Sequence, residues 1–390
     1  MQVVTHAEVL ARFASATGIP VADTQAGKGG IRWDHPQAVG GVGSTGSPVA
    51  NALARDADVI IGVGTRYSDF TTASKTAFQN PKVTFVNLNI TGLDAAKNSG
   101  VMLVADAREA LEALATELTD YHVDTDYTTE HTERQTRWNK VVDDAYHLDH
   151  GPLPAQTEVL GALNESVGPN GTVVQAAGSM PGDLQMLWRA EDPKQYHVEY
   201  AFSCMGYEIA GALGIKMAAP EREVYSLVGD GSYLMMAQEI ATAVSENIKL
   251  IVVILQNHGF ASIGALSESL GSQRFGTYYR YRNDDTGLLD GGKLPIDLAT
   301  NAESLGADVI RVDNIGDFRK ALDQARAATR TTVVHIETDP LAPVPSSESW
   351  WDVPVSNVST LDSTRRAYQV YEQHKATQHP YLTPAKESSQ

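Results

Sequence analysis

The sequence predicts an α/β protein built from two doubly wound parallel-sheet domains. Short apolar runs without a polar face, which are typical of strands covered on both sides, alternate with segments of helical periodicity. The chain of 390 residues is also too long for one ordinary core. Strands are predicted at 19–22, 59–64, 83–88, 101–104, 172–175, 224–228, 250–255, 309–312 and 332–336. Helices are predicted at 7–15, 49–55, 107–118, 155–167, 207–217, 234–246 and 318–327.

The two domains are predicted at residues 1–120 and 152–390. Residues 121–151 are rich in Asp, Glu, Thr and His, so we interpret them as a linker, with a helix near 133–146. In the first domain, the run from Gly40 to Gly46 superficially suggests a dinucleotide site. It lacks the spacing Gly-x-Gly-x-x-Gly after a clean strand, so the indication is weak.

Composition and charge narrow the class of protein. Apolar residues make up 42% of the chain and charged residues 20%, as in soluble globular proteins. The formal net charge of -18 repels phosphates and anionic lipid, so nucleic acid and membrane surfaces are not expected partners. Cys204 is the single cysteine, which excludes an internal disulfide and a cysteine metal cluster. Neither a secretory signal nor a membrane span is evident, and we expect a cytoplasmic protein.

The chemistry is concentrated after two predicted strands of the second domain. The strand at 224–228 runs into Gly229-Asp230-Gly231-Ser232, and the next strand runs into Asn257-His258-Gly259. A strand–helix–strand crossover returns the chain in the same direction, so both strands end at one edge of the sheet. Asp230 and Asn257, 27 positions apart, should therefore face one crevice, where open α/β sheets bind ligands.

The residue types at this edge suit a hard cation and a phosphate. The Asp230 carboxylate, the Asn257 amide oxygen and the Gly259 carbonyl are oxygen ligands of the kind that magnesium prefers, with water and phosphate completing the set. Gly229 and Gly231 allow close backbone approach, and the amides of Gly231 and Ser232 open a helix. Asp230 alone would more often be a helix N-cap, but the second strand end at Asn257 favours a magnesium-bridged diphosphate.

This pattern resembles the signature of thiamine-diphosphate enzymes. The resemblance implies that Asp230, Asn257 and the Gly259 carbonyl hold the diphosphate through Mg²⁺. It further implies that Met205 supports the bent cofactor from below and that Gly178-Ser179-Met180 touches the diphosphate end. Without the resemblance, Met205 would be interpreted as a core methionine, and the loop at Gly178 would equally be an ordinary turn.

Longer strings resemble one branch of that superfamily, the hydrolases of inositol catabolism that open a polyhydroxylated cyclic 1,2-dione. The similarity covers nearly the whole chain. The strings are Thr24-Gln25-Ala26-Gly27-Lys28, Trp33-Asp34-His35-Pro36, Gly64-Thr65-Arg66, Asp69-Phe70-Thr71-Thr72, Phe85-Val86-Asn87-Leu88-Asn89, Phe275-Gly276-Thr277, Tyr281-Arg282, Leu289-Asp290-Gly291 and Ser349-Trp350-Trp351-Asp352-Val353-Pro354.

The resemblance also implies three domains, of which this chain matches the central and the diphosphate-binding ones. We expect the pyrimidine-binding domain, which supplies the activating glutamate, to be missing. That role transfers to no residue here; Glu208 and Glu239 are interpreted as helix-surface or core-edge residues. The catalytic residues thus stay unknown, and a homo-oligomer or a separate pyrimidine-domain chain is expected.

Several interpretations stay open. The activity is ring hydrolysis, an acetolactate-synthase-like carboligation or decarboxylation, or none in a cofactor-binding fragment. The segment 272–290, with Arg274, Tyr278, Tyr279, Arg280 and Arg282, is either a lid over a polyhydroxylated substrate or a solvated loop. His258 is more simply a satisfied surface histidine than a proton carrier. Some relatives hold FAD on the central domain, but here a scaffold without flavin is favoured.

Overall fold

The computed structural model describes residues 6–381, which fall into two compact units. Unit 1 takes its described residues from Met1–Asn139, Ser346–Pro354 and Val370–Gln390, and unit 2 comprises Lys140–Pro345 and Val355–Gln369. The α/β class with parallel sheets is confirmed. The units differ from the predicted domains because two C-terminal segments group with unit 1 rather than with the second domain.

Unit 1 contains one two-stranded and one three-stranded parallel sheet. The helices His6–Thr17 and Ala107–Glu117 pack on the larger sheet through Val9, Phe13, Leu88 and Leu111. Its elements are α1 (His6–Thr17), β1 (Val21–Asp23), β2 (Ala38–Gly41), α2 (Pro48–Asp56), β3 (Val59–Val63), β4 (Thr84–Asn89), α3 (Gly92–Ala95), β5 (Val101–Val104) and α4 (Ala107–Glu117).

The predicted linker is mostly helix. Helix α5 (Thr125–Tyr146) has 22 residues and includes the range predicted to be helical. Its polar composition is that of a helix with much of its surface in water, while Trp138, Val142 and Tyr146 are buried. The polar composition of residues 121–151 therefore reflects a solvent-exposed helix and not an irregular linker.

The glycine-rich loop of unit 1 is shaped by its own packing. A Cβ at Gly43, whose φ is +110°, would lie 2.0 Å from the Phe70 carbonyl oxygen, so no other residue fits there. The Asn51 side chain accepts from the Gly43 amide (2.8 Å) and donates to its carbonyl (3.0 Å). Asn51 also donates to the Ser347 carbonyl of a C-terminal segment (2.9 Å). Close packing thus accounts for Gly43 without a bound dinucleotide.

The C-terminal segments of unit 1 also pack against its amino-terminal part at two other places. Trp351 donates from Nε1 to Asp69 Oδ2 (3.1 Å) and packs on Phe70, with ring centroids 4.9 Å apart. Tyr381 joins the aromatic cluster of Phe78 and Phe85, at centroid distances of 5.5 and 5.6 Å. Two of the strings that carried the sequence resemblance, at 69–72 and 349–354, are therefore neighbours in space.

Unit 2 is a six-stranded parallel sheet covered on both faces. Its elements are α6 (Gln156–Ser166), β6 (Gly171–Gln175), α7 (Met180–Leu187), β7 (Tyr196–Val198), α8 (Tyr207–Ala218), β8 (Glu223–Gly229), α9 (Asp230–Met236), α10 (Glu239–Ser245), β9 (Ile251–Gln256), α11 (Ala261–Ser269), α12 (Leu298–Ser304), β10 (Asp308–Val312), α13 (Ile315–Ala327), β11 (Thr332–Glu337) and α14 (Asp362–Lys375), the last of which runs into unit 1. The strand order in the sheet is β10-β11-β9-β8-β6-β7.

Alternate residues of the central strands enter different cores. Leu227 and Val253 face α6, α7 and α13, whereas Val228 and Ile254 face α8, α10 and α12. The strands are therefore apolar throughout, as the sequence suggested. The single helix predicted at 234–246 is two helices, α9 and α10. Between them the backbone makes hydrogen bonds three residues apart instead of four, such as that from the Ile240 amide to the Ala237 carbonyl (3.0 Å).

Candidate functional site

Two neighbouring strands of unit 2 end side by side at one edge of the sheet. Strands β8 and β9 pair in parallel with Gly229 opposite Leu255. Asp230 begins the helix after β8, and Asn257 follows β9 immediately. The structure thus brings Asp230, Asn257 and Gly259 together, as the crossover geometry predicted.

Asp230 is buried but only half satisfied. Its Oδ2 atom accepts the backbone amides of Asn257 (2.8 Å) and Gly259 (3.3 Å). Its Oδ1 atom is also buried and has no hydrogen-bond partner among residues 6–381. Burial raises the pKa of Asp230 to about 6, although the two amides oppose this shift. A buried carboxylate oxygen without a protein partner is one that a water or an ion can satisfy.

The Asn257 side chain supplies a second indication. Its amide oxygen faces other acceptors: an amide nitrogen turned into its place would lie 2.9 Å from Asp230 Oδ2 and 3.1 Å from the Gly259 carbonyl oxygen. The Asn257 oxygen therefore faces two other oxygens, an arrangement that is satisfied either by a bound cation or by a turn of the amide, whose NH₂ group would then donate to both. Magnesium binds oxygen at about 2.0–2.1 Å in an octahedron, which separates neighbouring ligands by about 2.9 Å. The spacing and the donor types both fit that cation.

The turn from Asn257 to Gly259 is held tightly. His258 has a left-handed φ of +60°, and a Cβ on Gly259 would lie 2.2 Å from the Thr277 carbonyl oxygen. Phe260 donates its amide to that carbonyl (2.8 Å), and Tyr279 donates its amide to the His258 carbonyl (3.0 Å). The start of the segment 272–290 therefore forms one wall of the turn.

His258 has side-chain partners, as expected of a satisfied histidine, but its side chain is only 14% exposed. Its Nε2 atom lies 3.0 Å from Glu337 Oε2, and Gln256 donates to its Nδ1 atom (3.1 Å). Gln256 in turn lies 2.6 Å from His335. The Gln256 hydrogen bond and the nearby Glu337 carboxylate orient the imidazole beside the turn.

Met205 lies against the Gly-Asp-Gly turn. A Cβ built on Gly231 would come within 2.6 Å of Met205 Cε and 2.6 Å of Phe260 Cε1. Glycine at 231 is therefore required by side chains that cover the turn. This position for Met205 agrees with the placement that the resemblance implied, but its contact with a cofactor stays a prediction.

The loop after β6 reaches the same crevice. Met180 Cε would lie 3.6 Å from a Cβ on Gly229. Gly178 is exposed, with a φ of +85° and no neighbour within 4 Å of a Cβ there. Ser179 exchanges hydrogen bonds with Gln156 (3.0 and 3.1 Å), and Gln156 also donates to the buried Asp183 (2.6 Å).

Glu208 is the residue that sequence reasoning misjudged. It is 0% exposed and lies at the site, not on a helix surface or at a core edge. Its carboxylate accepts the amides of Ala177 (3.3 Å) and Gly206 (3.0 Å) and a hydrogen bond from Ser232. Burial raises its pKa, and these hydrogen bonds oppose the rise. A signal was present: helices that are apolar all round are buried, so a carboxylate on α8 needs buried partners.

The segment 272–290 does not present its arginines as a group. Arg274 pairs with Glu268 (2.8 Å), Arg280 donates to the Gly291 carbonyl (3.2 Å), and Arg282 donates to the Gly287 carbonyl. Each of these cations thus makes a contact within or beside the segment. A role as a lid stays a prediction.

Acidic and histidine side chains do not form a metal cluster in the part of the chain that the structure describes. No group of three or more His, Cys, Asp or Glu side chains there is suited to a metal ion. The oxygens of Asp230, Asn257 and Gly259 are a different kind of candidate site, because only one of the three belongs to a carboxylate. Such a site suits a magnesium ion that takes its remaining ligands from phosphate and water.

Comparison with protein families places this edge of the sheet in a known domain type. Residues 176–336 match the C-terminal thiamine pyrophosphate binding domain of thiamine pyrophosphate enzymes, the cofactor also called thiamine diphosphate. Residues 2–114 match the central domain of the same enzymes. The chain therefore belongs to the thiamine pyrophosphate enzymes and carries these two of their domains.

The curated relatives are more specific. The chain is 40% identical over 387 residues to the 3D-(3,5/4)-trihydroxycyclohexane-1,2-dione hydrolase of Bacillus cereus (strain AH820), and the match covers 93% of this chain and 60% of that protein. It is 40% identical, with the same coverage, to the 3D-(3,5/4)-trihydroxycyclohexane-1,2-dione hydrolase of Bacillus anthracis (strain CDC 684 / NRRL 3495). The chain thus spans 60% of the length of these relatives. Among residues 6–381, helices with the length and hydropathy of a membrane span are absent.

Proposed function

We propose that unit 2 binds thiamine diphosphate through Mg²⁺ held by Asp230, Asn257 and the Gly259 carbonyl. The observation that carries this proposal is the buried, unpartnered Asp230 Oδ1 beside the Asn257 oxygen, which faces Asp230 Oδ2 and the Gly259 carbonyl oxygen. Turning the Asn257 amide would satisfy the latter two acceptors without a cation, but it would leave Asp230 Oδ1 without a partner. A divalent cation with its water and phosphate ligands would supply partners for all of these oxygens.

The neighbouring residues complete the proposed cofactor site. Met205 and the turn at Gly229, Gly231 and Ser232 would border the cofactor on one side, and Gly178-Ser179-Met180 would lie at its diphosphate. Gly178 is suited to a place beside the diphosphate for two reasons: glycine adopts its left-handed φ easily, and the space beside its Cα is open.

For the whole protein we propose hydrolytic ring opening of 3D-(3,5/4)-trihydroxycyclohexane-1,2-dione to 5-deoxy-glucuronate, a step of myo-inositol catabolism. The names of the relatives and the match over 93% of the chain support this substrate. When bound, the cofactor supplies an electron sink for cleavage of the carbon–carbon bond beside a carbonyl. The chain's own part is to hold the metal and diphosphate rigidly, and the segment 272–290 would border the substrate.

The proposal includes partners. A pyrimidine-binding domain, on another chain or another segment, would complete the site, and a homo-oligomer would bring the domains together. The cytoplasm is the location that we propose, in keeping with a single, exposed and unpaired cysteine, Cys204.

Calorimetric titration of the chain with thiamine diphosphate in the presence of Mg²⁺ tests the cofactor site. We expect saturable binding that disappears in Asp230→Ala and when the metal is chelated. Asp308→Ala is the matched control, because it removes the same charge at the opposite edge of the same sheet. Absence of binding by the wild-type chain, or equal binding by Asp230→Ala, would refute the proposal for this chain.

The substrate is tested separately, with a preparation that includes the pyrimidine-binding domain. Turnover of the cyclic dione to an acid supports the hydrolase. Turnover of pyruvate instead would support an acetolactate-synthase-like reaction, and cofactor binding without either turnover would support a non-catalytic cofactor-binding protein.

A further inference from the structure

Glu208 links three separate segments of the proposed cofactor site. Ala177 belongs to the loop after β6, Gly206 precedes α8, and Ser232 lies in the first turn of α9. All three donate to the one Glu208 carboxylate. These segments are distant in sequence, so their relative positions depend on contacts of this kind.

Two of these donors are, or adjoin, glycines with a left-handed backbone. Gly206 has a φ of +94°, and Gly178, which follows Ala177, has a φ of +85°. Glycine adopts this conformation without strain but is equally free to leave it, so contacts from other segments help to hold these turns in place. Because Glu208 is 0% exposed, water does not compete for its oxygens.

A carboxylate is the group that this position requires. Ala177 donates to Oε1 and Gly206 donates to Oε2, so both oxygens must be acceptors. Glutamine has nearly the same shape but only one acceptor oxygen, so its NH₂ group would face one of the two amides. Glu208→Gln therefore replaces an attraction by a donor–donor conflict in a buried place.

We propose that Glu208 is a positioning residue that fixes the loops of Ala177, Gly206 and Ser232 in the arrangement that receives the diphosphate. This inference rests on the proposed function, because it concerns the same site. It assigns Glu208 no contact with the cofactor itself. Its effect is to present Gly178–Met180, Met205 and the Gly-Asp-Gly turn already in place, so that binding does not have to order them.

The test compares Glu208→Gln with Glu158→Gln. Glu158 is also a buried carboxylate of unit 2 that accepts two backbone amides, those of Ala155 (2.8 Å) and His150 (3.4 Å), but it lies at the start of α6. Both variants should lose some thermal stability. Glu208→Gln alone should bind thiamine diphosphate, with Mg²⁺, at least about tenfold more weakly, as expected when a buried charge-assisted hydrogen bond is lost.

Hydrogen exchange provides a readout that general destabilisation would not give. We expect faster amide exchange in Glu208→Gln at 176–180 and 203–206, with unchanged exchange in β8 and β9. Uniformly faster exchange, or wild-type affinity in Glu208→Gln, would overturn the inference. If Glu208→Gln does not fold, Glu208→Asp replaces it, because aspartate keeps the charge on a shorter side chain. Glu208→Asp must then bind thiamine diphosphate more weakly than the wild type, and wild-type affinity in this variant would overturn the inference. Absence of binding by the wild-type chain would instead overturn the proposed function, and this inference with it.

Discussion

Gly231→Ala is a stringent test of how the proposed cofactor site is packed. The new Cβ would lie 2.6 Å from Met205 Cε and 2.6 Å from Phe260 Cε1. Carbon atoms pack best at about 3.5–4.0 Å, so each neighbour must withdraw by about 1 Å. Met205 is flexible, but the Phe260 ring packs edge-on against Tyr279 at a centroid distance of 5.5 Å. The strain should therefore fall mainly on Phe260.

The magnitude is best measured against a second glycine-to-alanine change. Gly214→Ala in α8 meets open space, so it should only gain helix propensity, by up to about 1 kcal/mol. Overpacking at Gly231 costs about 1–3 kcal/mol. The two variants should thus differ by at least about 1–3 kcal/mol in the free energy of unfolding, or about 2–12 °C in Tm.

Thermal unfolding followed by circular dichroism measures this difference, and titration with thiamine diphosphate and Mg²⁺ measures its effect on binding. We expect Gly231→Ala to bind at least about tenfold more weakly, equivalent to about 1.4 kcal/mol, and Gly214→Ala to bind like the wild type. Equal Tm values and equal affinities in the two variants would refute the packing described for Met205, Gly231 and Phe260.

Three further predictions concern other parts of the chain. Burial raises the pKa of Asp183 to about 7, so folding favours the neutral form of its carboxyl group. The stability that the neutral carboxyl contributes is fully present below about pH 4 and is lost as the pH rises through about 7. Urea unfolding at pH 5 and pH 8 should therefore show Asp183→Asn gaining about 2–3 kcal/mol relative to wild type between these values; a constant difference would contradict it. Gly64 has a φ of +64° and open space around a Cβ, so Gly64→Ala should lower the free energy of unfolding by about 1–2 kcal/mol. In Gly43→Ala the new Cβ also meets the Phe70 carbonyl, so the loss in the same assay should be at least about 2 kcal/mol larger. Equal losses in the two variants would show that the clash is absent. Trp351→Phe keeps an aromatic ring but loses the Asp69 hydrogen bond, and chemical denaturation should show a loss of about 1 kcal/mol, against a larger loss for Trp351→Ala. Wild-type stability in Trp351→Phe would contradict the hydrogen bond, and equal losses in the two variants would contradict the ring contact.

The strand ends of unit 2 could be predicted from sequence because the physics there is local and repetitive. Apolar strands and the fixed hand of the crossover were enough to bring Asp230 and Asn257 to one edge. Gly-Asp-Gly identified the first strand end, and the residue types identified the class of ligand. The predicted cofactor roles of individual residues remain to be tested by the titrations above.

What could not be predicted depended on contacts between distant segments. Glu208 was misjudged because its three donors come from loops at 177, 206 and 232, which no sequence spacing relates. The compact units divide the chain differently from the predicted domains for the same reason, since Trp351 and Tyr381 have partners about 300 residues earlier in the chain. Tertiary partners of this kind leave no periodic signal in a single sequence.

The discontinuity of unit 1 has a consequence for the way the protein is made. On the ribosome, residues up to Asn139 emerge long before Tyr381, whose ring closes the cluster of Phe78 and Phe85. At about 5–20 residues per second, translation of the intervening 381 − 139 = 242 residues takes about 10–50 s. During that interval the nascent amino-terminal unit has a complete set of strands but an unfinished core. Unit 2, which is nearly continuous in sequence, finishes synthesis before it. The order of folding is therefore expected to be the reverse of the order in which the two units begin.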